Sequence, residues 1–191
     1  MTSAQEQSSS RKAELLELAY AHALEHGLAG MSLRPLADAI GSSPGVLLYC
    51  FGSKDGLVRG LLARAREDEL ALLGAAGAGT GGIPEVAELT WRWLAAPEHH
   101  GLLTLWAEAY GQSLVDPGGP WGGFARRTVD DWLAVLAAAQ SPRRRRTRAG
   151  AAERTLALAV LRGALLDLLA TGDRERTGAA VAAAIAALRT D

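Results

Sequence analysis

The chain has 191 residues, with 20 Lys and Arg against 21 Asp and Glu, so a formal net charge of −1 builds in no general attraction to nucleic acid or membrane. Its 38 alanines and 31 leucines outweigh 8 valines, 3 isoleucines and 10 threonines, a balance that favours helix over sheet. With Cys50 alone there is no intramolecular disulfide, and no Cys or His spacing suits a zinc site; a reducing, cytoplasmic setting without metal or cofactor is expected.

Met1 to Ser10 is polar, lacks the apolar core of a secretory signal, and is expected to form a flexible arm over residues 1–9. Ser10 is a plausible N-cap for a first helix carrying Leu15, Leu18, Ala19 and Leu24 and stopping at Gly27. Ser32 caps a short second helix striped by Leu33, Leu36, Ala37 and Ile40, with Gly41 as the residue that ends it. Ser43, with Pro44 at the first helical position, opens a third helix to about Cys50. Ser53 caps a longer fourth, which Leu57, Leu61, Leu62 and Leu70 carry to about Leu73; Gly74 to Gly82 then reads as a linker. Five more helices follow, at about Pro84 to Ala95, Pro97 to Val115, Phe124 to Ala139, Ala151 to Ala170 and Arg174 to Arg189. Asp116 to Gly123 and the arginine-bearing segment Gln140 to Gly150 break them. Arg162 and Asp167 interrupt the most apolar run before it reaches the roughly 18–20 residues of a membrane span. The expectation is an all-α chain of nine helices: a three-helix domain over 10–54, then a bundle over 55–191 entered through the fourth helix.

The informative stretch is Ser32 to Leu57. Two helices of seven or eight residues separated by Gly41, Ser42 and Ser43 leave too little chain for an antiparallel hairpin, and a helix-turn-helix fits. In such a unit the second helix presents its N-terminal residues to the DNA major groove. Leu36, Ala37 and Ile40 can pack on Leu47 and Phe51, leaving Ser43, Pro44, Gly45, Val46 and Tyr49 outward. The ordered set Ser32, Arg34, Leu36, Ala37, Gly41, Ser43, Gly45, Leu47, Phe51, Lys54 and Leu57 resembles the DNA-binding domain of TetR-type bacterial transcription regulators. Its most specific part is the phased Phe51, Gly52, Ser53, Lys54 and Leu57. The family's usual Thr-Leu-Tyr-x-His-Phe is here Val46-Leu47-Leu48-Tyr49-Cys50-Phe51, so groups that commonly reach phosphate are replaced by Val, Leu and Cys.

The resemblance implies contacts to double-stranded DNA from Arg11, Ser32, Leu33, Arg34, Ser43, Pro44, Gly45, Val46, Leu48, Tyr49, Cys50 and Lys54. Readout is expected to rest on Val46 and Pro44 against thymine methyls and on Arg34 at a guanine edge. Residues 1–66 carry seven positive and six negative side chains, so the placement of Arg11, Lys12, Arg34 and Lys54 at helix starts matters more than net charge. Weak binding per copy then calls for a homodimer on an inverted-repeat operator. Its expected seam is Val160, Leu161, Ala164, Leu165 and Leu168 with Val181, Ala184, Ile185 and Leu188.

Seven of the ten aromatic residues lie between Trp91 and Trp132. The family resemblance implies a small-molecule effector site there, expected at Trp91, Leu103, Trp106, Tyr110, Phe124 and Trp132 for an apolar or aromatic ligand, with Arg92, His99, His100, Glu108 and Tyr110 as candidate polar contacts. The reading that follows is a ligand-released repressor. Its alternatives are an interaction module without specific DNA binding and a bundle enzyme. The enzyme lacks support: Glu98, His99 and His100 are adjacent at a helix start, and Gly74 to Gly82 lacks the Lys-Ser/Thr pair of a phosphate loop. The run Arg143 to Arg146 with Arg148 is read as a solvated loop.

Overall fold

A computed structural model describes residues 2–77 and 82–189, and every regular element among them is helical. In chain order they are α1 (Thr2–His26), α2 (Leu33–Ala39), α3 (Pro44–Phe51), α4 (Lys54–Gly77) and α5 (Ile83–Leu94). After a 3-10 turn at Pro97–His99 come α6 (His100–Val115), α7 (Phe124–Ala138), α8 (Pro142–Arg145), α9 (Arg148–Thr171) and α10 (Arg174–Leu188). None of the described helices is long and apolar enough to cross a membrane.

The expected elements are present, with differences that have local causes. α1 begins at Thr2 and so covers the segment read as an arm; Ala4, Gln5, Glu6 and Gln7 are helix formers that sustain it ahead of the serines. α4 runs beyond Leu73 to Gly77, into the start of the expected linker, whose residues 78–81 lie outside the described ones. Where a plain loop was expected, Pro142 and a Ser141 cap accepting from the Arg144 amide at 3.2 Å wind one extra turn, α8. Thr147 then caps α9, its Oγ1 accepting from the Gly150 amide at 2.9 Å.

The chain divides into two compact units, one of Met1–Glu67 with Thr104–Ala125 and one of Asp68–Leu103 with Arg126–Asp191. In the first, Leu15, Ala19 and Ala23 of α1, Leu36 and Ala37 of α2, Leu47 of α3, and Leu57 and Leu61 of α4 are buried. In the second, α5, α9 and α10 pack together through Ile83, Val86, Leu94, Leu158, Leu161, Leu165, Val181 and Ile185. A buried carboxylate sits in this unit: Glu69 accepts a hydrogen bond from Trp132 Nε1 at 2.5 Å.

The residues of the expected dimer seam differ in how much of them one chain leaves uncovered. Leu161, Leu165, Val181 and Ile185 are spent within the chain, holding α9 and α10 to α5, while Val160, Ala164, Leu168, Ala184 and Leu188 are half-buried. What α9 leaves exposed is Leu156 at 53% and Leu166 at 50%, with Ala152, Ala159, Gly163 and Ala170 on the same line. Residues 152, 156, 159, 163, 166 and 170 repeat at alternating spacings of four and three, the period of a helix–helix seam.

Candidate nucleic-acid interface

The turn between α2 and α3 is closed by backbone bonds that fix its direction. Ser42 N–H donates to Ala37 O at 2.8 Å and Gly41 N–H to Asp38 O at 3.4 Å, with Gly41 at φ 65. This is the paired bonding of a Schellman stop, which needs a residue free of a Cβ at its left-handed position. Ser43 is then extended, at φ −131, and its Oγ accepts the Val46 amide at 3.3 Å, so Pro44 starts α3 at once. At the other end Gly52, at φ 78, donates to Leu48 O at 2.8 Å, and Ser53 Oγ caps α4 by accepting from the Gly56 amide at 3.0 Å. A Cβ on Gly56 would stand 2.0 Å from Phe51 O, so the α3–α4 junction admits glycine only.

Within α3, one face is core and the other is solvent. Leu47 is buried at 1% while Tyr49 is 80% exposed, and Gly45, Val46 and Leu48 are exposed beside it. Ser43 is exposed, and Pro44 and Cys50 are half-buried. On α2 the expected contacts Ser32 and Arg34 are exposed and Leu33 is half-buried; Ser32 sits at the cap position but makes no side-chain cap bond. Lys54 is exposed, and Lys12 Nζ lies 5.6 Å from the Phe51 ring centroid, which puts a cation from α1 beside the end of α3. Arg11 is paired with Glu14 at 2.8 Å on the exposed side of α1. Arg34 on α2 and Lys54 at the start of α4 are thus exposed cations of the same three-helix region, and Lys12 stands beside the Phe51 end of α3.

Two ties within this unit bear on the helix-turn-helix. Arg64 of α4 bonds Glu17 of α1 at 2.7 Å and lies 4.9 Å over the Tyr20 ring. Glu108 of α6 accepts the Leu28 amide at 2.8 Å just after α1, where Gly27 turns at φ 74; a Cβ on Gly27 would come within 3.0 Å of the same oxygen. Glu108 was expected as a polar ligand contact. Its other oxygen, Oε1, is buried without a hydrogen bond.

Of the expected effector residues, Trp106 and Phe124 are buried in the first unit with Tyr110 half-buried, and the Trp106 and Tyr110 ring centroids are 5.1 Å apart. In the second unit Leu103 and Trp132 are buried and Trp91 is half-buried. His99 is stacked on Trp93 at 3.9 Å with its Nδ1 3.0 Å from Trp93 O, which accounts for it structurally; Arg92 and His100 are exposed. Sequence reasoning missed the role of Gly56, for which only the tight Ser-Lys-Asp-Gly spacing was a signal, and the burial of Glu69.

Comparison with known proteins agrees with this geometry. Residues 15–61 match the family model for bacterial regulatory proteins of the tetR family. No curated protein matches the chain. Among solved structures, the multidrug binding protein EbrR complexed with imidazole is 25% identical, with a TM-score of 0.65 over 92% of this chain and 89% of that one. A transcriptional regulator from Rhodococcus sp. Rha1 is 21% identical, with a TM-score of 0.72 over 93% and 95%. A TetR transcription regulator from Haloarcula marismortui is also 21% identical, with a TM-score of 0.68 over 92% and 95%.

Proposed function

We propose that this chain, which belongs through its N-terminal domain to the TetR family of bacterial regulatory proteins, is a homodimeric repressor that binds an inverted-repeat operator and leaves it when a small apolar or aromatic molecule binds. The observation that carries the reading is the outward face of α3, with Tyr49 80% exposed on a helix held at both ends by caps and followed directly by the exposed Lys54. One copy offers few phosphate contacts, and each adds roughly 0.9 to the salt slope of binding, so two copies are needed for useful affinity. The exposed Leu156–Leu166 line of α9 supplies the surface for that pairing. Two-fold symmetry predicts half-sites about 34–36 Å apart, one turn of DNA. Selection of bound fragments from random duplex DNA tests this. A palindrome with that spacing is expected, and recovery of no enriched sequence overturns the regulator.

Effector control is supported by α6. It carries the Trp106–Tyr110 ring pair and, between them, Glu108, which holds the Leu28 amide next to the helix-turn-helix. A molecule that binds better when α6 has shifted would weaken that tie and depopulate the DNA-competent arrangement. EbrR, similar in fold, has been solved with proflavin, a structure 24% identical to this chain with a TM-score of 0.68. A thermal-shift screen of planar aromatic compounds is the test: a stabilising hit that persists unchanged in Trp106→Ala and Tyr110→Ala refutes the role given to α6.

A further inference from the structure

The outward face of α3 is unusual for a surface that reads DNA, because it is almost without hydrogen-bonding side chains. Gly45, Val46, Leu48 and Tyr49 form it, with Val46 38% and Leu48 42% exposed. Ser43 stands just before the helix with its Oγ accepting the Val46 amide, and Cys50 is half-buried, so within α3 itself Tyr49 carries the one exposed hydrogen-bonding side chain. In the major groove, G·C and A·T pairs differ in their donors and acceptors, but only thymine offers an apolar group, its 5-methyl. Val or Leu pressed on a cytosine N4 or guanine O6 would strip those groups of water and return no hydrogen bond, which is penalised. The same side chain on a thymine methyl buries apolar surface on both partners.

We propose that α3 identifies its operator by thymine 5-methyl groups, and that Val46 and Leu48 are the residues that set this preference. The inference rests on the DNA-binding reading above and goes further, naming the chemical feature read and rejecting G·C at the contacted positions by exclusion of its polar edges. Duplex DNA is the occupant this face fits: Lys54, three residues past Phe51, is an exposed cation, Lys12 lies against the Phe51 end of the same helix, and Arg34 on the preceding helix is exposed as well. Affinity then comes from phosphates through cations, and sequence preference from methyls through aliphatic carbon.

The experiment uses the full chain and the sequence enriched by selection from random duplexes. That operator is rebuilt with deoxyuridine in place of thymidine, first throughout the half-sites and then only in the flanks, which removes methyls and nothing else. Dissociation constants are expected to rise about fourfold per contacted methyl, the loss of one buried CH2-sized group, and to stay unchanged for the flank control. In Val46→Ala/Leu48→Ala the ratio between uridine and thymidine operators is expected to fall toward one. Equal binding of the two operators by the wild type, or a ratio that survives in the double variant, overturns the inference while leaving DNA binding intact. No enriched duplex at all defeats the DNA-binding reading, and this inference with it.

Discussion

Among the helices that carry large apolar side chains into solvent, α3 and α9 do so in different ways. α3 is eight residues long, capped at both ends, and shows Val46, Leu48 and Tyr49 with Lys12 and Lys54 at its C-terminal end. α9 is 24 residues long and shows Leu156 and Leu166 along a line of Ala159, Gly163 and Ala170. A short helix with lysines at its end suits a narrow polyanionic groove. A long helix with small residues between leucines lets another backbone approach closely and pack along its length. Exposed apolar surface alone does not name a partner; the length of the helix that displays it and the charge at its border do.

The strongest way to break this comparison is at α9. Leu156→Glu with Leu166→Glu is expected to yield monomers by light scattering and to remove the roughly 10²–10⁴-fold gain of two linked half-sites from operator affinity. Because both positions are exposed, the far-ultraviolet circular dichroism is expected to hold. A variant that stays dimeric would mean that another surface pairs the copies. Next in size is the contrast within α3. Leu47→Ala empties a position that is 1% exposed and is expected to cost about 2–5 kcal/mol in urea unfolding; Leu48→Ala, on the solvent side, is expected to change stability by less than about 0.5 kcal/mol. Glu108→Ala leaves the Leu28 amide without its partner and is expected to cost about 1–3 kcal/mol. Its operator binding should weaken more than its unfolding midpoint alone accounts for.

A finer test separates the charge around α3 from its apolar face. Lys54→Ala is expected to lower the salt slope of operator binding by about 0.9 if it touches one phosphate, without changing which sequence is preferred, whereas Arg34→Ala is expected to relax the preference at the base pair whose guanine edge it meets. The smallest effect belongs to α9. Arg176 bonds Asp167 at 2.6 and 2.7 Å, and this hydrogen bonding and charge hold the Asp167 carboxyl below its ordinary range. Depressed in the folded state, the group adds stability above its unfolded value of about 3.9, and that contribution is lost as pH falls through the lowered folded value. Asp167→Asn should therefore narrow its deficit in melting temperature as pH drops below about 4, and a deficit independent of pH would refute the pairing.

The helix-turn-helix was legible because its signals are local. Ser43, Pro44 and Gly41 act on the backbone within a few residues, and each is found acting as expected. Leu36, Ala37 and Leu47 are buried as their spacing requires. The face that α9 turns outward was not legible, because a helix of Ala and Leu is apolar on more than one side and periodicity cannot rank them. Leu161 and Leu165 were read as partner-facing, and it takes the packing of α5 and α10 to show that the chain buries them itself while Leu156 and Leu166 stay exposed. Glu69 was illegible for a related reason: nothing near it in sequence announces Trp132, 63 residues on, as the donor that lets its carboxylate be buried.

The glycine at position 56 has a mechanical consequence. With a would-be Cβ only 2.0 Å from the carbonyl oxygen of Phe51, the elbow from α3 into α4 is packed to atomic contact. A bulkier residue at the elbow must push the end of α3 away from the first turn of α4, and so re-aim Tyr49 without touching it.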